Sequence, residues 1–212
     1  KTKVTITLIP EGEGTRLSGS ASAFYRSNGQ GIATSATGEA ATENFSMSYT
    51  GAWTRAEQYK DGNGNSVTST EYEAANHAVR LAMRDGGNLF IVQGGVQYMP
   101  YQGFVNQRMD LVDNHAQFVN TRWVGRYGWG VIDVRAFAQH TSHEMNFLED
   151  KKFNTTPARN MPMRTEGHDL GYSVKADIPV SATDLIRVGN EIHRQTLDAR
   201  RSAPKSMGGR KG

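Results

Sequence analysis

The stretch Phe45-Ser46-Met47-Ser48-Tyr49-Thr50-Gly51-Ala52-Trp53-Thr54 decides the fold class. Its odd positions carry Phe45, Met47, Tyr49 and Trp53, with Gly51 among them, and its even positions carry only Ser, Thr and Ala. A repeat of two is the repeat of an extended strand, here with one greasy aromatic face and one small polar face. Outward from this stretch the same alternation returns, and the breaks between stretches are by turns short (41–44, 85–87, 128–130, 179–183) and long (58–71, 100–117, 148–165). Tight turns on one rim and long loops on the other predict an all-β, antiparallel up-and-down transmembrane β-barrel.

About nine candidate membrane strands follow from the alternation, near 15–26, 31–42, 45–57, 73–84, 88–99, 117–127, 131–147, 167–178 and 184–197. Their apolar faces include Leu17, Gly19, Ala21, Ala23 and Tyr25, then Ala75, His77, Val79, Leu81 and Met83, then Phe90, Val92, Gly94, Val96 and Tyr98. Later strands give Val119, Thr121, Trp123, Gly125 and Tyr127, then Ile132, Val134, Ala136 and Ala138, then Leu170, Tyr172, Val174, Ala176 and Ile178. Opposite them stand Arg80, Arg84, Arg122, Arg126, Asp133, Arg135, Lys175 and Asp177. Charge therefore sorts to one side. Tyr25, Trp53, Tyr98, Trp123 and Tyr127 fall near strand ends, where membrane barrels place aromatic girdles. A soluble sandwich with one wet face is the alternative; strands of ten or more residues and regularly alternating loop lengths weigh against it.

Composition agrees. The chain has 212 residues and only 37% hydrophobic content, which suits a barrel, since half of each strand faces a watery lumen. No stretch approaches the ~18 uncharged apolar residues of a membrane helix. The net charge of +3 comes from 24 basic and 21 acidic residues, with Arg200, Arg201, Lys205, Arg210 and Lys211 gathered in the tail, so no nucleic-acid footprint is read. The absence of cysteine excludes disulfides and thiolate metal sites within the chain. Residues 1–9 carry no signal-peptide pattern.

Three segments carry a resemblance. Gln97-Tyr98-Met99-Pro100-Tyr101-Gln102-Gly103-Phe104 continuing to Asn106-Gln107-Arg108-Met109-Asp110, Met161-Pro162-Met163-Arg164-Thr165-Glu166-Gly167, and Asp184-Leu185-Ile186-Arg187-Val188-Gly189-Asn190-Glu191 resemble the TonB-dependent copper receptors of Gram-negative outer membranes. The likeness runs from about residue 1 to 198. It implies a barrel of roughly 22 strands occluded by an N-terminal plug and energised through the TonB complex. It further implies that 1–12 is the end of the plug and its link and 13–198 a partial barrel in the outer membrane, while 199–212, basic, Gly-rich and unpatterned, reads as an unstructured tail. Nearly all of the plug, the energy-coupling segment and more than half of the barrel have no counterpart here.

In that family the copper site joins a His-x-Met element of the barrel to a Cys and a Met of the plug, and His143-Glu144-Met145 matches the barrel element. Parity agrees independently: counting by twos from Asp133 through Arg135, Phe137, Gln139 and Thr141 puts His143 and Met145 on the lumen side, below the loop at Leu148. Thioether and imidazole select Cu(I) over hard cations, although His-x-Met also reads as an ordinary polar pair. Met99, Met109, Met161 and Met163 lie in or beside the long loops and suggest a secondary methionine path, or loop packing by a residue that fills irregular gaps. His77, His115, His140, His168 and His193 are not carried as ligands. No nucleophile–base constellation, phosphate loop or His-Glu-x-x-His is present, so no enzyme and no built-in cofactor is expected. The expected cargo is a copper ion; the alternatives are a siderophore or other metal chelate on the same architecture, or a soluble β-rich binding protein.

Overall fold

In the computed structural model the described residues are 2–6, 14–147, 151 and 162–201, with the backbone alone for 2–6 and 201. They form one ten-stranded antiparallel sheet in which every strand pairs with its sequence neighbour. The strands are β1 (Thr2–Ile6), β2 (Arg16–Arg26), β3 (Gly31–Ala41), β4 (Phe45–Ala56), β5 (Tyr72–Asp85), β6 (Asn88–Gln102), β7 (Asp110–Tyr127), β8 (Gly130–Asn146), β9 (Met163–Pro179) and β10 (Leu185–Arg201). All nine expected strands are present. The tenth, β1, falls where the end of a plug was expected, and it pairs with β2 from Thr2 opposite Ala23 to Ile6 opposite Gly19. The last strand runs to Arg201, past the boundary expected at 198. Residues 202–212, the rest of the expected tail, lie outside the described residues.

The register makes one continuous face from the separate alternations. Phe45 stands opposite Met83, Met83 opposite Phe90, Phe90 opposite Trp123 and Trp123 opposite Val134, a single apolar row across β4 to β8 in the half of the sheet nearer the tight turns. Phe90 and Trp123 stack with ring centroids 6.3 Å apart. At the other rim Trp53, Ala75 and Tyr98 form a matching row. Arg122 lies on the reverse face from Trp123, where its guanidinium donates to both oxygens of Asp133 at 3.0 and 2.7 Å, and Arg135 donates to the same carboxylate. Leu81, Val92, Val119, Leu170 and Val174 are exposed on the apolar face. No second layer covers them among the described residues, which removes the sandwich alternative; in a barrel that face meets lipid.

Glycines on the walls make room for rings. A Cβ on Gly95 would come within 2.6 Å of the Phe118 ring, which lies flat over it on the polar face. At the tight rim, Gly86 takes φ 53° in the two-residue link between Asp85 and Asn88, the positive-φ geometry that matches strand twist in a hairpin. The opposite rim is more ordered than its polar sequence suggests. The β2–β3 link is tied to the loop after β4 by reciprocal bonds, Asn28 Nδ2 to the Lys60 carbonyl at 2.8 Å and the Lys60 amide to Asn28 Oδ1 at 2.7 Å. Within that loop the amides of Asn65 and Asn63 donate to Asp61 and hold its carboxyl below the usual carboxylate range.

The expected loop 100–117 shrinks to 103–109, because β6 reaches Gln102 and β7 begins at Asp110. Above the membrane both faces of a strand are wet, so the alternation fades while backbone pairing continues. A register shift between Leu111 and Asp113 further hides the pattern there.

The face assignment is directly testable. Val134 lies between Trp123 and Val174 on the apolar face, four residues from Gly130 and so ~10 Å up a ~25 Å apolar band; Val134→Arg should cost about 2–4 kcal/mol near the bilayer midplane and sharply lower the fraction folded into lipid vesicles. Gln139→Arg, on the polar face, should fold as wild type; equal losses for the two variants would refute the assignment.

Candidate functional site

His143 and Met145 leave β8 on the polar face, three residues and one residue before the strand ends at Asn146. With ~3.4 Å of rise per residue and a tilt near 40°, His143 stands roughly 34 Å above the tight turn, over the top of the ~25 Å apolar band and at the mouth of the lumen. Both residues are half-buried.

The position of His143 in the ladder fixes its chemistry. It pairs with Asn114 of β7, and its Nδ1 lies 3.1 Å from Asn114 Oδ1. Asn114 is buried and turns its amide nitrogen towards Gln97 Oε1 at 3.4 Å, a long bond, while Gln97 Nε2 donates to Asn76 Oδ1 at 2.8 Å. With the Asn114 nitrogen turned to Gln97, its oxygen is placed to accept from His143 Nδ1, and Nε2 is the ring nitrogen left to face a ligand. Such a partner on the far ring nitrogen is what orients metal-ligating histidines. No motif in the sequence marks Asn76, Gln97 or Asn114 as part of a site.

The sheet also gathers the methionines. Met163 stands opposite Met145, and Thr165 opposite His143, so Met163 is the diagonal neighbour of His143, roughly 7–8 Å away. Met99 pairs with the other side of Asn114, in the same row as His143 but two strands off, about 10 Å. Three soft donors, His143, Met145 and Met163, thus share one patch of the polar face, with Met99 at its edge. Met109 is half-buried ahead of β7, and Met161 lies outside the described residues. One imidazole and neighbouring thioethers form a donor set for a soft cation.

Above this patch a buried ion pair holds the loops. Lys151 Nζ lies 2.7 Å from Asp110 Oδ1, with side-chain exposures of 6% and 0%. Lys151 also donates to the Gln107 carbonyl at 2.8 Å, and Asp110 Oδ1 accepts from the Phe104 amide at 2.7 Å. Ser69, buried with φ 57°, donates to Asp110 Oδ2 at 3.4 Å, and Gly103 lies so close to it that a Cβ would meet the Ser69 Cα at 2.6 Å. Three loops, those after β4, β6 and β8, therefore converge on one carboxylate at the mouth.

The class is now defined: a single wall of long antiparallel strands, with one apolar face, one polar face and tight turns at one rim, has the architecture of a section of an up-and-down transmembrane β-barrel. No protein-family model matches the sequence, and no curated protein does. Among solved structures 26 chains match, one of them the copper transporter OprC, similar over 94% of this chain and 31% of that one at 18% identity, with a TM-score of 0.75. The chain thus spans about a third of the length of that transporter.

Breaking the buried pair should be costly, because the partner's charge is left unpaired. Lys151→Met is expected to lose about 3–5 kcal/mol, whereas Arg187→Met, which breaks the exposed pair with Asp177, should leave the unfolding midpoint nearly unchanged. Thermal unfolding in detergent compares them; similar midpoints would show that the loops do not depend on the clamp.

Proposed function

We propose that the chain is a section of a TonB-dependent outer-membrane receptor for metal uptake, with copper as the cargo, received as Cu(I) by His143 and Met145 on the lumen wall. The observation that carries this reading is the imidazole whose Nδ1 is held by Asn114, leaving Nε2 beside two methionines. The soft donor set selects Cu(I) among physiological cations. The likeness to a copper transporter supports the same reading, as does the sheet itself, in which, among the described residues, β1 and β10 each pair on one side only. Further strands would satisfy those edges. Met99, Met109, Met161 and Met163 are the proposed secondary path, with Met163 moved by its register into the primary patch. The partners are outer-membrane lipid and the TonB energy-coupling complex.

In the receptor that carries this wall, His143→Ala and Met145→Ala should each lower the copper retained after exposure under reducing conditions, since each removes a ligand from a site of few ligands. Asn114→Leu should weaken copper affinity about 10- to 100-fold by freeing the His143 tautomer. Elemental analysis and a Cu(I) competition titration measure both effects. Undiminished copper in His143→Ala and Met145→Ala would refute the site and favour a metal chelate as cargo.

A further inference from the structure

The apolar face carries a second group of ligand-bearing side chains. His140 of β8 stands opposite His168 of β9, and one step towards the loops Ser142 stands opposite Glu166. The two imidazoles stack with centroids 4.5 Å apart and planes 22° apart. One ligand atom from each of His140, Glu166 and His168 lies within 4.8 Å of the others. His140 and Glu166 are half-buried and His168 is exposed.

These residues sit where the outward face changes character. Below them on the two strands lie Ala138 and Leu170, then Ala136 and Tyr172. Ten residues from the tight turn at Gly130, with the same rise and tilt, His140 stands roughly 26 Å up, at the top of the ~25 Å apolar band. The cluster faces away from His143, whose parity on β8 is opposite.

We propose that His140, His168 and Glu166 form a zinc-type divalent metal site on the outer wall, clipping β8 to β9 at the upper edge of the apolar band. Two imidazoles and a carboxylate are borderline-to-hard donors suited to Zn(II), unlike the thioether patch in the lumen, and they leave a fourth position for water. A cation centred among the three needs ligand atoms about 2.0–2.2 Å away, and the three atoms already lie within 4.8 Å of one another, so a small adjustment brings them into range. Rotation of the exposed His168 supplies that motion. Arg164 competes, because its Nη2 holds Glu166 Oε1 at 2.9 Å. Asp198, opposite Glu166 on β10, is held in turn by Arg200. Zinc must displace Arg164 from one oxygen or use the other.

The test is zinc titration of the full chain in detergent by calorimetry, with Co(II) as a visible-absorbing probe of coordination. His168→Ala and Glu166→Gln should each weaken zinc by more than the roughly 10- to 100-fold that loss of an outer-shell partner costs, and should abolish the four-coordinate Co(II) bands. Arg164→Ala should tighten zinc, and His77→Ala, a remote histidine on the same face, should change nothing. Strand content is checked by circular dichroism; if His168→Ala loses it, the isosteric Glu166→Gln alone decides. Unchanged zinc affinity and Co(II) spectrum in a folded ligand variant would overturn the site and leave a stacked histidine pair.

Discussion

The antiparallel backbone ladder is the constraint from which everything else in this molecule follows. In hydrocarbon no water can satisfy an amide or a carbonyl, so each must be paired within the wall. A ladder that meets this demand fixes parity, and parity then assigns every side chain to lipid or lumen without further choice. The ion pairs of Arg122, Asp133 and Arg135 can exist because they lie on the lumen side of the same residues whose neighbours, Trp123 and Val134, face lipid. A register slip of one residue would exchange the two sets at once.

This explains which features were legible in the sequence. Short turns transmit register: counting outward from Tyr127 and Gly130 reaches Trp123 with Val134 and then Asn114 with His143, and counting from Asp85 and Asn88 reaches Asn76 with Gln97. The partner of His143 is therefore readable from the chain by counting residues from the turn. Long loops do not transmit register. Nothing in the sequence says that Met145 meets Met163, or that His140 meets His168, because the β8–β9 connection can close on any register. Strand ends beyond the membrane were illegible for a different reason: β7 gains residues 110–116, where two wet faces leave no alternation to read and a bulge breaks what remains.

The buried pair of Asp110 and Lys151 belongs to the same category. Each residue looks like ordinary loop polarity in the sequence, and only the convergence of three loops takes both out of water. Burying the pair is no guarantee of stability, since desolvation of two charges offsets most of their attraction. Its effect is specificity. Asp110 oxygens accept from Phe104 and Ser69 as well as pairing with Lys151, so a different loop arrangement would leave a charge or an amide unpaired in a closed space. The mouth above His143 is thereby held in one shape, and a donor patch can be presented to a lumen from a definite direction only if the loops over it are fixed.

Strand β8 brings these threads together. His140 and His143 are three residues apart, an odd interval, so the ladder sends them to opposite faces, and neither can join the other in a shared site. The face decides the neighbours, and the neighbours decide the chemistry. On the lumen side His143 finds an amide chain that fixes its tautomer and methionines that favour a soft ion. On the outer side His140 finds a second imidazole and a carboxylate at the upper edge of the apolar band. One residue type on one strand thus stands in two chemically different environments from parity alone.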